Sequence, residues 1–412
     1  MAQVAQPADI TAVQNLLKEV YVSDNIESQM FDDALLYSQI ERTTDYHDSV
    51  GNLAVGFIRT GRNVGVSSRS LNGGTLGAAG HQQTKRWTLD YTASYLQLKI
   101  LGTTIAKMAT ARQAAVREID DEVSRGLVDL TKDIQRQLYS NGDALIIGCG
   151  TTTSSTTVVL EATQKAADVI DRGWLQVGEY IDIGTTANQV SVVQDAKITA
   201  VSSAGTSSTI TIDSAVTTSA TSFISRASNR SGTTAYESNG LGNLVKATGS
   251  FAGIAQSSES TWASTEIDAA AANLSRSQMQ RAYRGSRQYG GKPDLIITSL
   301  NHQEDYYNLL QSQVRFAGDS NLASGTVDGP LFNNLPVVAD PDCPTGVMYF
   351  LSKRNLFTVS AGDIAWQNQT TGGDVLAWVQ NEDAFTARAA WYGNLGTDHR
   401  RAHSKVKSIN VQ

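Results

Sequence analysis

One apolar stripe constrains this chain more than any other feature. Val116, Ile119, Val123, Leu127, Leu130, Ile134 and Leu138 recur at steps of three and four, the spacing that lines one face of an α-helix. Opposite charges one turn apart are expected on its outward side: Arg117 with Asp121, Glu122 with Arg125, Asp129 with Lys132, Asp133 with Arg136. Asn141 and Gly142 supply a C-terminal stop. The pattern predicts a helix over 103–140, roughly 55 Å long. Such a rod outruns a small domain and needs a broad molecule to lie across. With 412 residues, two or three packed units are expected around it.

The chain ahead of the helix divides by charge. Residues 1–50 carry nine acidic side chains against Lys18 and Arg42. Their apolar content is too sparse to fold alone, which predicts an extended arm that needs a surface to lie on. Over 51–101 the sign reverses, with Arg59, Arg62, Arg69, Lys85 and Arg86 near a single acid, Asp90. Leu53, Val55 and Phe57 alternate, as do Trp87, Leu89 and Tyr91, then Leu96, Leu98 and Ile100. Period-two patterning around a glycine-rich tip at 73–80 reads as a long two-stranded hairpin. An isolated hairpin is marginal in water, so it too wants a partner.

Past the helix, short β-branched runs separated by Ser, Thr and Gly turns over 143–228 predict a small β-barrel or sandwich. It reads as an insertion, because its flanks mix α and β. Over 229–380 the pattern is α+β. Ile267, Ala271 and Leu274 suggest a helix, Ser275 with Gln278 forms a capping box for the next, and the run 294–298 is a buried strand. Residues 381–412 alternate again and close on a basic strand at 399–407.

No chemistry stands out. Lys292 follows a glycine-rich stretch, but Pro293 occupies the hydroxyl position of a phosphate loop. His399 and His403 are four apart with no third ligand nearby. No nucleophile elbow or paired-cysteine motif appears. Neither a cofactor nor a metal is expected, and the chain reads as a non-enzyme. Net charge is −7, against a protein that coats nucleic acid. The tail basics Arg400, Arg401, Lys405 and Lys407 are the one feature suited to a nucleic acid or, alternatively, to acidic partners. Two cysteines fit a reducing compartment. Lys18, Glu19 and Asp24 break the first apolar stretch, so no signal peptide, spanning helix or membrane partner is expected.

This order of parts resembles the tailed-bacteriophage major capsid proteins of the Hong Kong 97 type. The stretches that carry the resemblance are 292–299 (KPDLIITS) with Tyr306, Leu309 and Leu310, then 335–344 (LPVVADPDCP), Met348 to Leu351, Asp383 to Phe385, Tyr392 to Leu395, and Glu237 to Leu241. The resemblance implies an α+β capsid fold: an N-terminal arm at 1–50, an extended hairpin at 51–101 and a spine helix at 102–142. An inserted β-barrel follows at 143–228, an apical domain at 229–380 and closing strands of the peripheral domain at 381–412. It also implies self-assembly into hexamers and pentamers of an icosahedral head enclosing double-stranded DNA, which a net negative wall would contact only weakly. A portal, a separate scaffolding protein, assembly in a bacterial cytoplasm and residence in the virion go with that reading. Arg59, Arg62, Arg69, Lys85, Arg86 and Trp87 on the hairpin, and Asp24, Glu27, Asp32 and Asp33 on the arm, are the intersubunit contact candidates. The same fold also builds cellular nanocompartment shells, and a hydrolase or glycan-binding protein with a β module is the more distant alternative. Some members weld their shells through a lysine–asparagine bond, and nothing in the sequence fixes Lys85 and Asn394 into that geometry.

Overall fold

The computed structural model describes residues 34–43, 53–68, 71, 78–103, 112–311, 331–367 and 377–410. The arm candidates, Arg69 and most of the glycine-rich tip lie outside the described residues. The chain forms two compact units, one built on Thr92–Ser238 and Ser360–Gly393, the other on Gln39–Tyr91, Asn239–Val359 and Asn394–Gln412.

In the first unit the helix Arg112–Tyr139 turns the C-terminal part of the predicted stripe inward, with Leu130, Ile134 and Leu138 buried; the side chains of Val116, Ile119 and Val123 lie outside the described residues. It crosses a strand pair in which Thr92–Leu101 runs antiparallel to the closing strand, from Thr92 opposite Gly393 to Leu101 opposite Ala384. Gly126 sets the approach: a Cβ there would stand 2.7 Å from Leu96 Cδ2. Gln135, Arg136 and Gln137 are buried beside the stripe. The Asp133–Arg136 pair, expected to face solvent, therefore lies inside. Protein covers both faces of this end of the helix, and Tyr37 accounts for part of it by donating its backbone N–H to Gln135 Oε1 at 2.9 Å.

The β-rich stretch of this unit is a six-stranded sheet in the order Ile147–Gly148, Phe223–Arg226, Tyr180–Gly184, Val193–Ser202, Thr209–Thr218, Thr152–Val159. A bridge between Cys149 and Leu160 links its two ends. Ile181, Ile183, Ile198, Ile210, Ile212 and Ile224 fill its interior, joined by Ala166 and Val169. Those last two come from a helix, Gln164–Asp171, where the sequence suggested strands alone. Its Gln, Lys and Ala content favours helix, and its apolar face is too short to show a period.

The second unit is a mixed sheet ordered Thr265–Asp268, Ser404–Lys407, Met348–Leu351, Leu295–Thr298, Leu335–Ala339, Leu331–Phe332. Ile296, Val337, Phe350 and Val406 form its core with Met279 and Ala282. The latter two belong to the helix Arg276–Gln288, which starts at the predicted Ser275–Gln278 capping box. The helix expected from Ile267, Ala271 and Leu274 is instead the strand Thr265–Asp268, paired parallel with Ser404–Lys407. Ala270 and Ala271 have φ of 52° and 58°, left-handed values that turn the chain out of either regular structure.

The basic tail is also not a free strand. Residues Arg400–Ala402 form a 3-10 turn because Arg400 is pulled inward. Its guanidinium donates to the carbonyls of Leu244, Trp262 and Asn243 at 2.8, 3.0 and 3.1 Å. Burial lowers its pKa to about 10. Lys405 Nζ lies 3.2 Å from Glu266. Arg401 stacks 4.3 Å from the centre of the Tyr289 ring. These cations hold their own unit together, and the basic face suited to nucleic acid does not form.

Candidate assembly surface

The hairpin is a two-stranded ribbon, Leu53–Gly61 antiparallel to Gln83–Asp90, in register from Leu53 opposite Asp90 to Ile58 opposite Lys85, with an irregularity between Arg59 and Gly61. Its base is anchored. Ala54, Trp87 and Leu89 are buried, and the Trp87 ring lies 6.0 Å from Phe357. Gly56 faces Trp87 across the ribbon, where a Cβ would come within 2.3 Å of the indole. Only glycine leaves the ring room. The backbone N–H of Thr88 donates to Ala252 O at 3.0 Å. Lys85 Nζ lies 3.7 Å from Glu259, whose carboxyl is held below its usual range first by the Thr261 hydroxyl and then by Lys85, against slight burial.

Beyond the base the ribbon opens to solvent. Asn63 ties the two strands by donating to Gly80 O at 3.0 Å and accepting from Gly65 N at 2.8 Å. Yet Phe57 and Val64 are each 75% exposed, Val66 86% and Leu71 fully exposed. Four large apolar side chains within fifteen residues form a surface that a solitary chain leaves wet.

The candidate residues separate along this gradient. Arg59 is exposed and its Nε donates to Gly61 O at 3.3 Å. Arg62 is exposed, with no hydrogen bond or ion pair among the described residues. Lys85 is half-buried against Glu259, Arg86 is exposed opposite Phe57, and Trp87 belongs to the core of its own unit. Val64, Val66 and Leu71 were missed, because between Gly61 and the tip no periodicity marks them. Their only signal was apolar residues set among glycines.

Elsewhere the polar groups that invited chemistry are spent on structure. His403 is buried, accepting from Ser352 N at 3.3 Å and lying 3.1 Å from Thr397 Oγ1. Burial lowers its pKa to about 3. Asn394 donates to Asp90 O at 2.7 Å and accepts from the backbone of Asn239 and Leu395, both at 2.8 Å, so three of its four hydrogen-bonding positions are taken inside the unit. Among the described residues no cluster of His, Cys, Asp or Glu is arranged to hold a metal, and no helix is long and apolar enough to cross a membrane.

Together these parts define a class: the chain has a tailed-phage capsid-type fold. The likeness that establishes it is to the capsid asymmetric unit of cyanophage A-1(L), at a TM-score of 0.55 and 15% identity, covering 94% of this chain and 96% of that one. A structure titled Mycobacterium phage Bobi aligns at a TM-score of 0.48 and 10% identity, over 98% of this chain and 99% of that one. The holo-SrpI encapsulin complex of Synechococcus elongatus PCC 7942 aligns at 0.47 and 6%, over 96% of both chains. No family model and no curated protein matches the sequence.

Proposed function

We propose that this chain is a major capsid protein, a non-enzymatic subunit that assembles into hexamers and pentamers of an icosahedral phage head around double-stranded DNA. The observation that carries the reading is the ribbon, anchored at its base by Trp87 and wet at Phe57, Val64, Val66 and Leu71. The capsid-type fold supports it. A second copy covering those side chains removes apolar surface from water, and burying one such side chain is worth about 1.5–3 kcal/mol. The exposed arginines of the ribbon set register more than energy, since exposed pairs contribute roughly 0.2–1 kcal/mol.

In this reading the arm at 1–50 and the hairpin at 51–101 lie on sister subunits. The helix is the spine of the peripheral domain, and the β-rich sheet is an insertion in the Hong Kong 97 plan. The net charge of −7 limits adhesion of the wall to packaged DNA. A portal and a separate scaffolding protein complete the head, assembled in the bacterial cytoplasm and carried in the virion.

The test is a single variant, Phe57→Ser, Val66→Ser and Leu71→Ser together. Losing about 5 kcal/mol of docking per subunit raises the concentration needed for assembly more than a thousandfold. The variant should stay folded by circular dichroism and form no shells in electron micrographs, whereas the parent chain does. Shells from the variant in normal yield would overturn the proposal.

A further inference from the structure

A cleft of about 360 Å³ opens in the first unit where the long helix meets the β-rich sheet. Its floor is a charge network. Asp133 Oδ1 accepts from Arg136 Nε at 2.9 Å and from Arg226 Nη1 at 2.5 Å. Glu237 Oε1 accepts from Arg136 Nη2 at 2.5 Å and from Asn229 Nδ2 at 2.8 Å. Arg226 Nε lies 2.7 Å from Glu179 Oε1. Three carboxylates thus share two guanidiniums and keep an excess of negative charge.

One of these acids lacks a donor and another is burdened by burial, and both line the cleft. Glu237 Oε2 is buried with no hydrogen-bond partner among the described residues, a state that costs free energy until a donor arrives. Glu179 is held above its usual carboxyl range by burial, which Arg226 and the Gln176 backbone do not offset. Its side chain is 21% exposed, within reach of a ligand. The rim is aromatic: Tyr95 and Tyr236 line the cleft and are 55% and 51% exposed, presenting ring faces that attract cations.

Resting on the reading of this chain as a shell subunit, we propose that the cleft receives an arginine guanidinium from a second copy, and that Arg62 of the ribbon supplies it. A planar fork of N–H donors suits the orphan oxygen of Glu237 and the burdened charge of Glu179, and its face stacks on tyrosine as an ammonium's cannot. Arg62 is an exposed ribbon cation without a partner among the described residues. It lies between Phe57 and Val64, side chains that themselves need covering. The charge network ties the helix to the sheet and Tyr95 packs edge-on against Tyr392, but neither gives the orphan oxygen or exposed Tyr236 a role.

The experiment joins the two places covalently. Cys149 and Cys343 are buried, and burial pushes the Cys149 thiol up to about 12, so native background is low. Shells of the double variant Arg62→Cys, Tyr236→Cys are treated with a bis-maleimide of about 10 Å reach, because a direct disulfide would need Cα atoms within about 7 Å, and run on a denaturing gel. A ladder of covalent multimers is expected, absent from either single variant. Shells that form but give monomer only, or a link closed within one chain, overturn the assignment and leave the shell reading intact. Absence of shells from the parent chain co-expressed with its scaffolding protein overturns both. Should the double variant not assemble, Arg62→Gln and Tyr236→Ser replace it. Each alone should raise the half-assembly concentration about tenfold, and the pair no more than the worse single. Multiplicative losses overturn the assignment.

Discussion

Protonating His403 breaks the hydrogen bond that it accepts from Ser352. Thr397 Oγ1 gives its one proton to Asn355 O at 2.6 Å, so His403 Nε2 must donate to that hydroxyl and Nδ1 must accept from Ser352 N–H. The ring is therefore the neutral Nε2–H tautomer, and a second proton would point Nδ1–H at another N–H. Burial accordingly takes its pKa from the ordinary 6.5 down to about 3. Between those values the unfolded chain binds the proton and the folded chain does not, so stability rises with pH across that window. It is fully present above the upper value and lost on the way down. Each tenfold difference in proton affinity between the two states is worth about 1.4 kcal/mol. Acidifying from pH 7 to pH 4 therefore removes about 3 kcal/mol through this one group. Urea unfolding of the unassembled chain, followed by tryptophan emission at both pH values, measures it. His403→Asn keeps an acceptor for Ser352 but cannot titrate, and carboxylates shared by both chains cancel in the difference. The variant should lose about 3 kcal/mol less than the parent on acidification. Equal losses in the two chains would refute the reasoning.

Arg136→Met should destabilise the subunit by about 3–5 kcal/mol, because it strands Glu237 as a buried charge and leaves Asp133 with Arg226 alone. Adding Glu237→Gln to that variant should recover part of the loss in the same urea titration. Gly56→Ala drives a Cβ into the Trp87 indole, which stands against Phe357. It should cost about 1–3 kcal/mol, with a red shift of emission as the base of the ribbon opens.

What the sequence made legible was whatever repeats locally. The Leu130–Ile134–Leu138 stripe, the Ser275–Gln278 box and the paired strands of the ribbon each declare themselves within a few residues. What stayed hidden depends on partners far along the chain. Asp133 and Arg136 have the spacing of a surface pair, and only Arg226 and Glu237, 93 and 101 residues away from them, make it an interior one. Arg400 and Lys405 read as a basic tail because the carbonyls that Arg400 caps and the Glu266 carboxylate beside Lys405 lie in segments with no local link to it. Ile267 has helical spacing with Ala271 and Leu274, but pairing with Ser404–Lys407 outweighs that weak preference. Val64, Val66 and Leu71 had no pattern to show, since the role proposed for them lies outside the single chain.

Hydroxyl-radical footprinting of Val64, Val66 and Leu71, in dilute subunits and in purified shells, tests most directly whether another copy covers the outer ribbon. Oxidation at these three should fall at least tenfold on assembly while buried Trp87 stays unreactive in both. Equal labelling of the three in subunits and shells would contradict the account.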